Sequence, residues 1–197
     1  HPALLDTLDD FSLRMAQCGA ILIHYRAHFI RRLEDAAPEI HRDCSGGREK
    51  LGLRYETVST VTDPEAAPKA LLPQLLAHQE AHREAEIAAR ACLSGPHKDE
   101  LAVEIDGVPA KSYASQGQTR TAALALKLAA RDIFYHDSEE WPVLLLDDVL
   151  SELDHRRQEF VLNRITSGQV FITCCEEEKL ANLREGKAFR VKDGTLI

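Results

Sequence analysis

Ser115-Gln116-Gly117-Gln118 opens the part of the chain that decides its predicted fold. Two further segments follow in order, Val143-Leu144-Leu145-Leu146-Asp147-Asp148 and Ser151-Glu152-Leu153-Asp154. A small polar turn therefore precedes a helix, an aliphatic strand ends in two carboxylates, and a second polar turn follows. Because α/β sheets bind ligands at the carboxyl ends of their strands, this order predicts an α/β fold with a ligand site beside the two carboxylates.

The composition is that of a folded globular protein. Of the 197 residues, 44% are hydrophobic and 28% are charged, which is too apolar for a disordered chain. The 24 basic and 32 acidic residues give a net charge of −8, opposite to the usual footprint of a nucleic-acid-binding protein. Any DNA contact therefore requires a local basic patch, sequence beyond this chain, or a partner.

The cysteine spacing and the hydropathy of the chain predict a cytoplasmic protein. The five cysteines are odd in number and lack the C-x-x-C spacing of a zinc site, so we expect reduced thiols in a cytoplasmic protein. No apolar run approaches the roughly 20 residues that cross a bilayer, so no membrane partner is expected. The chain begins with His1-Pro2, without a methionine or a signal-like stretch, which predicts a fragment or a trimmed chain.

Two helical patterns occupy the first half of the chain. The pattern over 3–36 repeats apolar residues at alternating spacings of four and three, which predicts a long helix with one apolar seam. The seam residues are Leu4, Leu8, Phe11, Met15, Cys18, Leu22, Tyr25 and Phe29. A second pattern runs from about Pro68 to Leu93 and is smaller and more polar. Its seam residues are Leu71, Leu75, His78, His82, Ala85, Ala89 and Cys92.

Two interpretations of these helices stay open. Either they pack antiparallel and serve structure only, or they form a projecting arm that meets DNA or a partner. A run of basic side chains slightly favours the arm, although solvated helix faces often carry such charges. These residues are His24, Arg26, His28, Arg31 and Arg32. Ser94-Gly95-Pro96 breaks the second helix and predicts a boundary between a helical arm over 1–92 and an α/β unit over 93–197.

The other segments predict alternating strands and helices. Strands are expected over 51–61, 101–105, 143–146, 170–173 and 188–191, and helices over 117–135, 153–165 and 176–185. The unbroken aliphatic run at 143–146 is typical of a strand that is covered on both faces.

The three opening segments resemble the signature, Walker B and D-loop segments of an ABC-type ATPase head. In such a head Asp147 would hold the Mg²⁺ of Mg-ATP, directly or through water, and Asp148 would orient or deprotonate the attacking water. Taken alone, an aliphatic strand followed by two aspartates fits a solvated acidic turn equally well. The ordered combination of all three segments favours the ATPase interpretation.

The turn at 115–118 has the composition of an anion site. Gly117 would let a phosphate approach the backbone, Ser115 and Gln118 would donate hydrogen bonds, and the N–H groups of the helix N-terminus point the same way. The alternative for the turn alone is a serine N-cap beside an ordinary loop glycine.

Longer stretches resemble one family of that class. Segments 115–129 and 144–157 resemble RecF, the bacterial recombination-mediator ATPases of the SMC-like ABC class. Gly95-Pro96-His97-Lys98-Asp99-Glu100-Leu101 is similar to the family's Gly-Pro-His-Arg-Asp-Asp-Leu element, with lysine in place of arginine. Phe171-Ile172-Thr173 matches the end of the family's switch strand. The likeness is tightest over 93–175.

The resemblance implies a function and a set of residue roles. RecF proteins bind DNA, dimerise when ATP is bound, hydrolyse ATP slowly, and act with RecO and RecR to load RecA onto gapped DNA. Signature residues of one subunit would touch the γ-phosphate held by the other; here these are Ser115, Gln116, Gly117 and Gln118. The remaining implied roles are Mg²⁺ binding at Asp147, water activation at Asp148, D-loop contacts at Ser151 and Asp154, and a phosphate contact at the switch residue Thr173.

No Gly-x-x-x-x-Gly-Lys-Ser/Thr phosphate loop occurs in the 197 residues. In the RecF family this loop lies in a preceding amino-terminal segment. We therefore interpret the chain as the carboxyl-terminal portion of a RecF, a helical arm plus the signature and Walker B half of a P-loop ATPase head. Alone it is expected neither to bind nor to hydrolyse ATP. Two alternatives stay open: a head fragment of another SMC-like ABC ATPase, or a non-catalytic interaction module that keeps the motifs as remnants.

Overall fold

The computed structural model describes residues 7–150, 153–175 and 186–196. Ser151, one of the two predicted D-loop residues, lies outside the described residues, as does the helix predicted over 176–185.

Helices and strands alternate along most of the described chain. The helices are α1 (Leu8–Ser45), α2 (Pro68–Ala89), α3 (Ala110–Tyr113), α4 (Gln116–Ser138) and α5 (His155–Arg164), with a 3₁₀ turn at Pro96–Lys98. The strands are β1 (Leu51–Glu56), β2 (Glu100–Ile105), β3 (Val108–Pro109), β4 (Leu144–Asp147), β5 (Val170–Thr173), β6 (Val191–Lys192) and β7 (Thr195–Leu196). The strand predicted over 188–191 is wrong, because a short β6–β7 hairpin begins only at Val191.

Helix α1 is longer than the predicted 3–36. It runs to Ser45 and contains Pro38 in its interior. Proline removes one backbone hydrogen bond and disfavours a helix interior. Residues on both sides of Pro38, Leu33 and Ala37 before it and Ile40 after it, are buried in the main core, and this packing holds the helix through the proline.

The buried face of α1 is not the predicted seam, so that prediction is wrong. Phe11 is 71% exposed and Tyr25 is 69% exposed. The buried stripe begins about one residue later, with Ala16, Gly19, Ala20, Ile23, Ala27 and Ile30. Small side chains allow close approach on this face, since a Cβ on Gly19 would lie 3.0 Å from Cγ of Pro96.

Helix α2 packs antiparallel to α1. Arg83 and Asp9 form an ion pair of 2.5 Å at one end, and the His24 ring lies 3.0 Å from the carbonyl oxygen of Ala66 near the other. The predicted seam of α2 is buried only in its first half, at Leu71, Leu75 and His78. In the second half of that seam His82 is half-buried, whereas Ala85, Ala89 and Cys92 are exposed.

Two sheets position the candidate site. Strands β1, β2 and β3 form an antiparallel sheet in that order, with Leu51 opposite Ile105. Strands β4 and β5 form a parallel pair in which Leu144 is opposite Val170 and Asp147 is opposite Thr173. Parallel pairing aligns the carboxyl ends of both strands at one edge.

The main core lies between α4, the carboxyl-terminal half of α1, and the strands. Its buried residues include Leu33, Ile40, Leu51, Ile105, Leu124, Leu128, Leu144, Leu146 and Val161. A second cluster joins α1 and α2 and contains Ala16, Ala20, Ile23, Val58, Leu71 and Leu75. Helix α1 thus belongs to both clusters, and the division of the chain at 92/93 stays a prediction.

Strand β4 is buried on one face only within the described chain, which corrects the expectation of a strand covered on both faces. Leu144 and Leu146 are buried, whereas Leu145 is 61% exposed. Its opposite residue on β5, Phe171, is 53% exposed. Among the described residues, no helix is long and apolar enough to cross a membrane.

Candidate nucleotide site

The parallel strands β4 and β5 bring the predicted Walker B and switch residues together. Asp147 ends β4, Thr173 ends β5, and the two are register partners. Asp148 follows directly, and all three side chains are exposed. This edge is where open α/β sheets bind their ligands.

The hydroxyl of Thr173 connects both aspartates. It donates a hydrogen bond to Oδ1 of Asp147 over 2.5 Å and accepts one from the backbone N–H of Asp148 over 3.0 Å. The same N–H also lies 3.2 Å from the carbonyl oxygen of Thr173. Because a hydroxyl has one proton, Thr173 in this arrangement serves the carboxylate of Asp147, whereas the sequence expectation gave it a phosphate.

Asp148 adopts a left-handed backbone conformation that is uncommon for residues other than glycine. Its φ is +50°, in the left-handed region, which costs roughly 1–2 kcal/mol for a residue with a Cβ. The two contacts of its N–H with Thr173 hold this conformation. Strained backbone of this kind concentrates at functional sites, where surrounding structure maintains it.

The oxygen atoms at this edge fit a hard divalent cation. Mg²⁺ is usually held in proteins by one or two carboxylates together with waters and substrate phosphates. Asp147 offers an exposed carboxylate, steadied by Thr173, for such a role. No cluster of three or more metal-binding side chains occurs in the part of the chain that the structure describes, so phosphate and water oxygens would complete the coordination.

The predicted signature turn forms the N-terminus of α4 as a capping box. Oγ of Ser115 accepts the backbone N–H of Gln118 over 3.2 Å, and Oε1 of Gln118 accepts the backbone N–H of Ser115 over 2.9 Å. The structural alternative for this turn, a serine N-cap, is therefore present. A capping box of this type stabilises a helix start and fixes the direction in which the chain enters.

The capping box leaves hydrogen-bond donors at the turn. Ser115 and Gln118 use oxygens as acceptors, so the hydroxyl proton and the amide NH₂ are not consumed by the box. Within the described chain, the backbone N–H groups of Gln116 and Gly117 have no protein acceptor. A Cβ on Gly117 would meet no atom within 4 Å, so packing does not explain the glycine. These features suit an approaching anion.

Asp154, the described member of the predicted D-loop pair, is the N-cap of α5. Its Oδ1 accepts the backbone N–H of Arg157 over 2.9 Å, and its Oδ2 accepts Nη1 of the same arginine over 2.9 Å. The backbone bond from Arg157, followed by its charge, lowers the pKa of Asp154. The carboxylate is half-exposed and ionised at neutral pH.

The structure groups the predicted residues into three places, one of which is Asp154 at the start of α5. Asp147, Asp148 and Thr173 form one cluster, whereas Ser115 and Gln118 bond to each other and to the first turn of α4. In the described part of the chain, neither Ser115 nor Gln118 bonds to Asp147 or Thr173. Among the described residues, Ser115 and Gln118 therefore do not form one joint site with Asp147 and Thr173 through direct hydrogen bonds.

The Gly-Pro-His element contains a buried carboxylate, Asp99, that sequence reasoning missed. The side chain of Asp99 is 4% exposed and accepts hydrogen bonds from Arg26 over 3.0 Å, from Thr57 over 2.8 Å, and from Tyr55. Burial, together with Asp99, raises the pKa of Tyr55 to about 12. Lys98, which stands in place of the family's arginine, is exposed. Through its hydrogen bonds with Arg26 and Tyr55, Asp99 joins the 3₁₀ turn to α1 and β1.

Curated relatives match most of the chain. The DNA replication and repair protein RecF of Acetivibrio thermocellus is 37% identical over 183 residues, which make up 93% of this chain and 49% of that protein. RecF of Clostridium perfringens is 37% identical over 193 residues, or 97% and 52% of the two chains. RecF of Synechococcus sp. (strain JA-3-3Ab) is 45% identical over 152 residues, or 77% and 40%. The chain spans about half the length of these relatives.

Solved structures match the same extent. The recombination mediator protein RecF, as RecF-ATPrS in the RecFOR pathway, aligns with a TM-score of 0.82 and 31% identity over 97% of this chain and 50% of that chain. RecF-ATP in the same pathway aligns with a TM-score of 0.80 and 30% identity over 98% and 50%. No protein-family model matches the chain.

These similarities extend over nearly all of the chain, well beyond the short motifs. They confirm the predicted fold class, the α/β carboxyl-terminal half of an SMC-like ATPase head with its helical part. The sequence identities of 37% and 45% accompany the matching folds. The chain therefore belongs to the RecF family and corresponds to the carboxyl-terminal portion of its members.

Proposed function

We propose that this chain supplies the signature and Walker B parts of a RecF-type ATPase that acts in DNA repair and replication. The observation that carries the proposal is the hydroxyl of Thr173, which links Asp147 and Asp148 at the carboxyl edge of β4 and β5. The names of the relatives support it, since two of the solved RecF proteins are RecF-ATP and RecF-ATPrS.

Asp147 holds Mg²⁺ in this proposal. Bound Mg²⁺ would neutralise charge on the β- and γ-phosphates during phosphoryl transfer. Thr173 keeps the carboxylate of Asp147 in one orientation, so that the ligand oxygen is preorganised. The exposed edge leaves room for the phosphates and waters that Mg²⁺ retains.

Asp148 orients the attacking water or accepts its proton. Its left-handed backbone, held by Thr173, fixes the start of the side chain relative to Asp147. Most ABC-type enzymes have glutamate at this position. The shorter aspartate reaches the water less well, which accounts for the slow turnover that the proposal expects.

The signature turn acts on ATP that is bound by the opposite subunit of a homodimer. The donors that the capping box leaves at Ser115, Gln116, Gly117 and Gln118 would bind the γ-phosphate across the interface. Ser151 and Asp154 would make the accompanying D-loop contacts. A dimer of this kind would bring the signature turn of one subunit to Asp147 and Asp148 of the other.

In this proposal the complete protein binds DNA in the cytoplasm. It acts with RecO and RecR as partners to load RecA. The net charge of −8 disfavours broad electrostatic binding of DNA by this chain alone. We expect DNA contacts to come from a local basic surface or from the rest of the dimer. The isolated 197-residue chain is proposed to be inactive, because backbone amides and a lysine of a phosphate loop must supply most of the ATP affinity.

The test uses a full-length RecF polypeptide that carries this sequence as its carboxyl-terminal portion. Asp148→Asn is expected to lower the rate of ATP hydrolysis by at least about a hundredfold while ATP still drives dimerisation. Asp147→Asn is expected to weaken both. Glu159→Gln, an exposed carboxylate on α5, is the matched control and should change neither. Unchanged DNA repair by the Asp148→Asn variant would instead favour a non-catalytic interaction module.

A further inference from the structure

Arg157 holds both oxygens of the D-loop carboxylate. Its backbone N–H bonds to Oδ1 of Asp154 and its guanidinium Nη1 bonds to Oδ2, each over 2.9 Å. An N-cap requires only the backbone bond. That bond alone would leave the carboxylate able to turn, whereas the second bond fixes the orientation of its plane.

The arginine side chain is largely buried, and its charge acts on the end of α1. Its side chain is only 18% exposed, and its Nε is buried without a hydrogen-bond partner in the described chain. Burial lowers the pKa of His41, and the charge of Arg157 lowers it further. Burial raises the pKa of Cys44 to about 11, and the same charge opposes that rise. Arg157 therefore lies within electrostatic reach of two buried residues of α1.

Arg156 contacts the same helix end directly. A Cβ built on Gly46 would lie 2.4 Å from Nη1 of Arg156, so the guanidinium rests directly on the backbone there. Gly46 is the C-cap of α1, with a φ of +70°. A cation at a helix C-terminus is favourable because the last carbonyls carry partial negative charge. The start of α5 thus meets the end of α1 through Arg156, and the charge of Arg157 acts on His41 and Cys44 of the same helix.

We propose that Arg157 is a positioning residue for the D-loop, which presents Asp154 to the opposite subunit in one fixed orientation set by the end of α1. The inference rests on the proposed function, because it takes Asp154 to act across an ATP-bound dimer. Helix α1 would thereby take part in assembling the site. A fixed carboxylate costs less conformational entropy when the dimer forms.

The first test measures the carboxyl group directly in the 197-residue chain. Carbon-detected NMR titration gives the pKa of Asp154 in the original chain and in Arg157→Gln and Arg164→Gln variants. Arg164 is the control, since it pairs with Asp132 over 2.7 Å at the other end of α5. We expect the pKa of Asp154 to rise in Arg157→Gln and to stay unchanged in Arg164→Gln. An unchanged pKa in Arg157→Gln overturns the proposal.

The second test measures ATP-driven dimerisation of the full-length polypeptide by sedimentation. Arg157→Gln is expected to weaken the dimer on the order of tenfold, which corresponds to the loss of one charged hydrogen bond. Arg157→Lys should recover part of the loss, because the charge remains while the fork of donors does not. Arg164→Gln should dimerise like the original protein.

Two outcomes separate this inference from the proposed function. If Asp154→Ala weakens the dimer and Arg157→Gln does not, Asp154 acts without Arg157, and only the positioning role is overturned. If the original polypeptide fails to dimerise with ATP, the proposed function is overturned, and the role of Arg157 falls with it.

Discussion

The hydroxyl of Thr173 donates a 2.5 Å hydrogen bond to Oδ1 of Asp147, across the last register pair of β4 and β5. One side chain at the end of one strand thus fixes the carboxylate at the end of its neighbour. The same hydroxyl accepts the N–H of Asp148 over 3.0 Å. Changes at Thr173 are therefore expected to affect both aspartates at once.

Thr173→Val tests this link with almost no change in shape. The variant removes the hydroxyl, leaves Asp147 unfixed, and takes one acceptor from the N–H of Asp148. We expect ATP turnover of the full-length polypeptide to fall on the order of tenfold, as for one hydrogen bond to a charged group. Thr173→Ser keeps the hydroxyl and should retain most of the rate. Equal rates in both variants would show that the hydroxyl has no part in turnover.

Asp99 is expected to be a major determinant of stability. Asp99→Ala would leave Arg26, Tyr55 and Thr57 without their shared buried acceptor. We expect the free energy of unfolding of the 197-residue chain, measured in urea, to fall by about 3 kcal/mol.

The matched control for Asp99 is its neighbour Glu100. This side chain is 54% exposed, and its partner Lys111 is 82% exposed. Exposed ion pairs contribute little, so Glu100→Ala should leave the free energy of unfolding nearly unchanged. Comparable losses at both positions would contradict the buried network around Asp99.

Stability should decline in mild acid because of His41. This ring is fully buried, and its Nε2 lies 3.6 Å from Oε2 of Glu49, too far for a hydrogen bond. Burial lowers its pKa, and the charge of Arg157 acts in the same direction, whereas Glu49 and Asp106 oppose the shift. The unfolded chain binds a proton near pH 6.5, where the folded chain does not. The contribution is therefore present above about pH 6.5 and is lost as the pH falls through the lowered pKa. His78 is shifted in the same direction.

The measurement is the free energy of unfolding in urea at several values between pH 7.5 and 5. His41→Gln should flatten the decline relative to the original chain. His136→Gln, whose side chain is 86% exposed in the original protein, should leave the slope unchanged. An identical slope in His41→Gln and the original chain would contradict the assignment to His41.

Gly168 is expected to tolerate no side chain. Its φ is +74°, and a Cβ there would lie 2.6 Å from Cβ of Trp141. Trp141 has little freedom to shift, since its ring stacks on Tyr135 at 4.0 Å and lies under Arg131 at 4.3 Å. Gly168→Ala should therefore lower the free energy of unfolding by more than about 2 kcal/mol.

Gly47 provides the comparison for Gly168. Its φ is +76°, but a Cβ there would meet no atom within 4 Å. Gly47→Ala should cost only the left-handed backbone penalty, about 1 kcal/mol. If both variants lower the free energy of unfolding by the same amount, the close approach of Gly168 to Trp141 does not contribute to the cost of a side chain at position 168.

Local patterns predicted the parts of the site that depend on neighbours in sequence. The Ser-x-x-Gln spacing at 115–118 predicts a helix start, and the structure has a capping box there. The aliphatic run before Asp147 predicts a strand, observed over Leu144–Asp147. The carboxyl-end rule then implies that Asp147 and Thr173 meet, since parallel strands end at one edge.

Long-range contacts account for what the sequence could not predict. The sequence pattern predicts the wrong face of α1, because a second set of apolar or small residues begins one position later, and the close approach of Gly19 to Pro96 is not visible in the pattern. The buried acceptor Asp99 gathers donors from Arg26 and Tyr55, which are distant in sequence. A local sequence pattern cannot predict hydrogen-bond partners that are this far apart in the chain. The proposed role of Arg157 likewise depends on the distant end of α1.

In the proposed function, Ser115 of one subunit acts on ATP that is bound beside Asp147 and Asp148 of the other subunit. Two inactive full-length variants test it when they are mixed. Ser115→Asp keeps an effective N-cap but sets a negative charge against the phosphate, and Asp148→Asn removes the residue that orients water.

In a mixed dimer, one site would pair the intact Asp148 of one variant with the intact Ser115 of the other. Random pairing makes half of the dimers mixed, each with one intact site of two, so the steady-state ATPase rate of an equal mixture should reach about a quarter of the original rate. A mixture that stays as inactive as its separate components would contradict a signature that acts across the dimer.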